Sequence, residues 1–280
     1  MNDVLKNRLK NLLLSGIVKT ADMRIEQAIK ENVSYQEFLE MLINDEVMSR
    51  AQNRNIRRLS KAKFPQHKTI EEFNFSYQPS INKQAFYNLC TCEFIRKKEN
   101  IALIGPPGAG KTHLAIAIGI KAVIQDYSVL FTTLNDMLED LYISRADNSF
   151  QQRLRKYTQP ELLILDELGL KKLNQTSVDD FYEVVSRRYE HHSIIVTSNK
   201  TFDEWGRILF DPVLASAILD RFVHHCNFIN ITGDSYRMRE RESLFQHTGK
   251  RGRPRKIGVS DMGPVDAEED PEEEGEACPV

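Results

Sequence analysis

The sequence predicts an α/β protein whose largely parallel sheet is sandwiched by helices, and three observations carry that prediction. Five short apolar stretches, "IALIG", "SVLFTT", "ELLILD", "SIIVTS" and "CNFINIT", are separated by segments of helical pattern, the order that builds parallel sheets. Runs such as "LLIL" are apolar at every position, which suits strands covered on both faces. A glycine-rich turn joins "IALIG" to the helix-like "KTHLAIAIG". At 280 residues the chain has room for one full domain plus appendages.

Residues 1–66 read as a small all-helical N-terminal domain. "LKNRLKNLLLSG" places Leu5, Leu9, Leu12 and Leu13 on one helical face. "SYQEFLEMLINDEV" opens with a capping-box spacing from Ser34 to Glu37. The last helix, "VMSRAQNRNIRRLSKAKFP", ends at Pro65, and "HKTIEEFNFSYQPSIN" reads as a connector. The α/β domain then occupies 67–247. From 248 to 280 glycine, proline and charge leave too little apolar surface for a core, so this tail is expected to be disordered when free.

No apolar run approaches the roughly 18 residues of a membrane span. Asp3 and the interspersed bases make the N-terminus an amphipathic helix rather than a secretory signal, so a soluble, cytoplasmic protein is expected. Cys90, Cys92, Cys226 and Cys278 lack zinc-finger spacing and read as reduced thiols. The pairs His191–His192 and His224–His225 have no carboxylate or cysteine at metal spacing and read as surface or packing residues.

The net charge of −2 conceals segregation. Val47 to Ile70 contains no acid, yet holds Arg50, Arg54, Arg57, Arg58, Lys61, Lys63 and Lys68. A second basic segment, "GKRGRPRK", is followed at once by an acidic end. Its R-G-R-P core, with Lys250, Arg251, Arg253, Arg255 and Lys256, looks like an AT-hook whose arginines enter an A·T minor groove; the alternative is a generic basic tail. The acidic end is expected to fold back on the bases until DNA displaces it.

"GPPGAGKT", Gly105-Pro106-Pro107-Gly108-Ala109-Gly110-Lys111-Thr112, matches the phosphate-binding P-loop, and it follows a strand and opens a helix as that motif requires. Its backbone N–H groups and the helix start that includes His113 would face phosphate oxygens. Lys111 would pair with the β- and γ-phosphates and Thr112 would bind Mg²⁺. In "LLILDELG" the strand ends in Asp166 and Glu167. The first is placed to hold Mg²⁺ and the second to activate a water, which favours hydrolysis over transfer. Asn199 ends "IIVTSN" as a phosphate sensor or as an ordinary turn residue. Arg221 precedes the last strand and Arg237 follows it, arginine being the residue best suited to charge on a transferring phosphoryl group.

In this order "GPPGAGKT", "LLILDE", "IIVTSN" and "AILDRF" resemble the AAA+ initiator and helicase-loader group. With "TIEEFNF" and "GDSYRMRE" they most resemble the IstB-like ATP-binding proteins of insertion sequences, over roughly residues 5 to 245. The resemblance implies an AAA+ P-loop core, ATP and Mg²⁺ at Lys111, Thr112, Asp166 and Glu167, Asn199 as sensor, and Arg221 as a finger acting on a neighbouring subunit. It implies a ring or spiral homo-oligomer on double-stranded DNA that helps the transposase of the same element engage its target. By the same analogy Phe73 and Phe75 lie near the adenine, the alternative being edge-strand packing. Too few residues follow Asn199 for the usual helical lid, so Arg237 is left to touch nucleotide, a neighbour or DNA. Such proteins carry an extra helix after the second strand. There Arg145, Arg153, Arg155 and Lys156 become either phosphate contacts inside a ring or a solvated face. The rival readings are a DnaC-like replicative helicase loader and a nucleotide-gated architectural DNA-binding protein, with a small-molecule kinase more distant.

Overall fold

The computed structural model describes residues 1–209, 211–233 and 235–236. It opens with helices α1 (Asp3–Asn11), α2 (Ser15–Glu31) and α3 (Tyr35–Ala62). The expected apolar face of the first helix is not realised. The helix stops at Asn11, Leu12 caps it, Leu13 takes a left-handed φ of 57°, and Leu5, Leu12 and Leu13 are exposed. The leucine run is therefore cut by the turn into α2.

The second expectation holds. Ser34 accepts the Glu37 N–H, Glu37 accepts the Ser34 N–H, and the capping box starts α3. α2 has no side-chain cap of its own. The buried Glu46 of α3 supplies one, accepting the N–H groups of Gly16 at 2.6 Å and Ile17 at 3.2 Å, a carboxylate where a helix dipole favours negative charge. Arg24 grips Asp45 through two 2.8 Å bonds and completes the hairpin.

α3 continues past the hairpin, and its last turns belong to the core of the α/β region. Ala62 is fully buried there, with Leu59 and Phe64 packed alongside. Phe64 lies 6.3 Å from the ring of Phe131. The connector is irregular and holds one 3-10 turn, Phe75–Tyr77, before α4 (Lys83–Leu89) and α5 (Glu93–Lys97). Phe73 and Phe75 are thus not in an edge strand.

The five predicted strands all form: β1 (Asn100–Ile104), β2 (Val129–Thr133), β3 (Leu162–Leu168), β4 (Ser193–Ser198) and β5 (Cys226–Asn230). They pair in the order β2-β3-β4-β1-β5, every pair parallel. Alternate residues serve opposite cores, as the two-residue strand period demands. Ile101, Leu103, Ile164 and Ile195 face α6 (Lys111–Ile124) and the end of α3. Ala102, Leu163, Leu165 and Val196 face α7 (Leu134–Ile143), α8 (Phe150–Thr158), α9 (Gln175–Arg188), α10 (Phe202–Ile208) and α11 (Pro212–Val223). α7 and α8 fill the interval after the second strand where an extra helix was expected. Among the described residues no helix is long and apolar enough to cross a membrane.

Candidate nucleotide site

The P-loop runs from the end of β1 to the start of α6. Gly108 and Gly110 have φ of +79° and +94°, the left-handed region that glycine enters freely. Neighbours reinforce the requirement. A Cβ on Gly110 would lie 2.6 Å from Phe73 Cε2, one on Gly108 would lie 2.1 Å from Ser235 Oγ, and one on Gly105 would lie 2.3 Å from the Ile231 carbonyl oxygen. The segment after β5 therefore clasps the loop from outside. Ile231 N–H donates to the Ile104 carbonyl at 2.8 Å and Tyr236 N–H to the Gly108 carbonyl at 3.0 Å. The Tyr236 ring meets Tyr77 edge-on, 5.7 Å between centroids.

Lys111, the first residue of α6, donates from Nζ to the carbonyls of Gly105 at 2.7 Å and Pro106 at 2.8 Å. Thr112 Oγ1 lies 2.9 and 3.0 Å from the two carboxylate oxygens of Asp166. These are hard oxygen donors, and about 2.9 Å is the edge of an octahedron with magnesium–oxygen bonds of about 2.0–2.1 Å. Thr112 and Asp166 thus fit Mg²⁺. His113 is turned elsewhere: its Nε2 sits 2.7 Å from the Thr69 carbonyl and its ring meets Phe73 edge-on. Phe73 reaches the P-loop, whereas Phe75 packs on Phe86 and Tyr87, one layer away.

The acidic pair owes its geometry to an irregularity that the sequence hid. Leu165 pairs with Val196 but Leu168 with Ser198, so β3 carries one extra residue between them. Such a bulge re-aims side chains. Glu167 takes φ of 63°; Asp166 is buried and Glu167 is exposed. Thr197 of β4, which sequence reasoning passed over, serves both: its Oγ1 donates to Asp166 Oδ1 and accepts the Glu167 N–H at 3.1 Å. Asn199 is exposed one residue beyond β4, beside the P-loop, where Gly105 N–H donates to the Ser198 carbonyl at 3.2 Å.

Arg221 is not part of this constellation. It lies near the end of α11, whose Phe222 carbonyl accepts from Asn100 Nδ2 at 3.0 Å, and Asn100 begins β1 whereas the P-loop follows its end. Four residue steps of strand, about 13 Å, separate those two ends. The guanidinium rests 5.0 Å from the Tyr182 ring centroid and donates to the Ala217 carbonyl. Arg237 and the tail bases Lys250, Arg251, Arg253 and Arg255 lie outside the described residues.

The expected DNA contacts divide sharply. Arg50 pairs with Glu46 at 2.7 Å, and Arg54 and Arg58 both meet Asp126, at 3.5 and 2.6 Å. Arg153 and Lys156 share Asp140, which also accepts from Tyr157, so these cations bind α8 to α7. Arg145 pairs with the buried Asp180, whose carboxyl burial pushes up, and its guanidinium stacks 4.5 Å from Phe150. Arg57, Lys61 and Arg155 are exposed and form no ion pair among the described residues.

Known proteins resemble this chain along most of its length. The profile of the IstB-like ATP binding protein family matches residues 7–243. The chain belongs to that family. An ATP-binding protein of insertion sequence IS5376 from Geobacillus stearothermophilus is 45% identical over 217 residues, spanning 77% of this IstB-like chain and 86% of the relative. The corresponding protein of IS21 from Pseudomonas aeruginosa is 42% identical over 239 residues, 85% of this chain and 89% of the relative. Among solved structures, DnaI superposes with a TM-score of 0.51 at 21% identity, covering 59% of this chain and 91% of DnaI. AMPPCP-bound DnaA from Aquifex aeolicus gives 0.50 at 20% identity, covering 69% of this chain and 59% of DnaA. The IstB-like chain thus shares its AAA+ fold with DnaI and DnaA.

Proposed function

We propose that this protein is a Mg²⁺-dependent ATPase that assembles as a ring or spiral on double-stranded DNA and recruits or activates the transposase of its own insertion sequence in the cytoplasm. The observation that carries the shared-site part is the position of Arg221, at the opposite end of the sheet from Lys111 and Glu167. An arginine so placed reaches a phosphate only in a neighbour's site. The names of the relatives, ATP-binding proteins of insertion sequences, support the setting.

On this reading Lys111 leaves the Gly105 and Pro106 carbonyls to pair with the β- and γ-phosphates. Glu167 orients the attacking water and takes its proton. Thr112 and Asp166 hold Mg²⁺, which when bound draws charge from the phosphate oxygens. Asn199 contacts the γ-phosphate end, and Arg221 leaves Tyr182 to stabilise charge across the subunit boundary. Arg57, Lys61 and Arg155 meet DNA phosphates, and the R-G-R-P segment from Arg251 adds a minor-groove contact.

The test is ATP turnover and particle size, with and without duplex DNA, for the wild type, Glu167→Gln and Arg221→Ala. Glu167→Gln should assemble on DNA with ATP but not turn over. Arg221→Ala should lose turnover and regain part of it when mixed with Lys111→Ala, which retains the finger. A wild type that turns over equally as a monomer overturns the shared-site reading.

A further inference from the structure

The fold brings together three metal-ligating side chains that linear spacing kept apart. Glu190 lies in the turn between α9 and β4, and His224 and His225 lie between α11 and β5. Their ligand atoms all lie within 4.8 Å of one another, and all three side chains are exposed. We propose that Glu190, His224 and His225 bind a divalent cation of the zinc class, at a site separate from the nucleotide site.

Donor chemistry, scaffold and access each support it. Two imidazoles and a carboxylate suit zinc, cobalt or nickel, whereas magnesium prefers oxygen donors alone. Three protein ligands leave a coordination position open to water. Zn–N bonds of about 2.0–2.1 Å place tetrahedral ligands about 3.3 Å apart, so the groups must close by about 1.5 Å at most; exposed side chains allow that. The backbones beneath are anchored. Glu190 takes φ of 60° in a turn where His191 and His192 N–H groups both donate to the Arg188 carbonyl at 2.9 Å. His224 N–H donates to the Asp220 carbonyl, and the His225 carbonyl accepts from Asn100 N–H at 2.6 Å. Tyr189 Oη lies 3.0 Å from His224 Nδ1, which orients the ring and leaves Nε2 for the ion. The imidazole rings are already 4.0 Å apart. Lys98, Arg188 and Arg221 line the same pocket, and their charge makes this a weaker site than a closed four-ligand one.

His224 follows Arg221 by three residues, so a bound cation ties the end of the finger-bearing helix to the α9–β4 turn. This consequence, though not the site, rests on the finger reading above.

Zinc binding by the full, tag-free chain is measured in competition with a chromogenic chelator, and Co²⁺ binding by its visible absorption. The wild type and Cys278→Ser should each show one saturable site. Glu190→Gln, His224→Ala and His225→Ala should each weaken it at least tenfold while leaving thermal unfolding unchanged. No saturable binding, or binding that survives a His224→Ala/His225→Ala double variant, overturns the proposal. Turnover is read alongside: if Arg221→Ala turns over like the wild type, the finger reading falls while the zinc titration still decides the site.

Discussion

Replacing Thr197 by valine preserves shape and β propensity and removes one hydroxyl, so it isolates what that group does. The hydroxyl donates to Asp166 and accepts the Glu167 N–H. A hydrogen bond to a charged group contributes about 1.5–3 kcal/mol, and a neutral one about 1 kcal/mol. Asp166 is only 6% exposed, so water cannot readily replace the lost donor. If the charged bond alone is lost from the transition state, ATP turnover of Thr197→Val should fall by about 10- to 150-fold. The Mg²⁺ concentration for half-maximal turnover should rise, because Asp166 loses the contact that aims it at Thr112. Thr197→Ser keeps the hydroxyl and should stay near the wild type. The assay is steady-state phosphate release across a Mg²⁺ titration, with thermal unfolding measured beside it. Wild-type turnover in Thr197→Val refutes the argument. So does a serine variant as slow as the valine one, which would make the methyl group the decisive part.

Further outcomes follow from other contacts. Gly110→Ala, with φ of +94° and Phe73 2.6 Å from the new carbon, should lower stability without nucleotide by about 1–3 kcal/mol, seen as a lower Tm. Asp140→Asn removes the anion shared by Arg153 and Lys156. It should destabilise by about 1–3 kcal/mol and raise, not lower, DNA affinity at low salt, because two cations are freed for phosphate; filter binding beside denaturant melts checks both. The Asp45 carboxyl is pulled down to about 2, first by its hydrogen bonds from Arg24. A depressed folded-state pKa gives stability that is present above the unfolded value of about 3.9 and lost as pH falls toward 2. Asp45→Asn should therefore cost stability at neutral pH, and the difference from wild type should vanish as pH falls through that window in acid-unfolding curves.

The strands were legible because a parallel sheet covered on both faces favours unbroken apolar runs, and "LLIL" and "IIV" are such runs. The P-loop was legible because its glycines, lysine and threonine are demanded by a backbone that faces phosphate. Thr197 was not, because a threonine inside a β-branched run reads as strand filler. Only the register with β3, and the extra residue in that strand, carries it beneath Asp166. The same applies to Glu190, which sits beside His191 in sequence but meets His224 and His225 in space. α1 was overextended because the leucine pattern runs through Leu12 and Leu13, and no local residue announces the left-handed turn at Leu13. The DNA-contact assignments at Arg145 and on α8 rested on charge alone, whereas the pairing of Asp180 with Arg145 and of Asp140 with Arg153 and Lys156 is a property of packed helices.

The clasp over the P-loop also orders events during synthesis. Lys111, Asp166, Glu167 and Asn199 have all left the ribosome before β5, yet the loop that Lys111 belongs to is held by Ile231 and Tyr236. A chain stopped after Asn199 would carry Lys111, Thr112, Asp166 and Glu167 and still lack Arg221, the strand beside β1 and the segment that secures Gly105 and Gly108. Truncated products of the gene should therefore be silent toward ATP rather than partly active, and the nucleotide site is among the last parts of the domain to be finished.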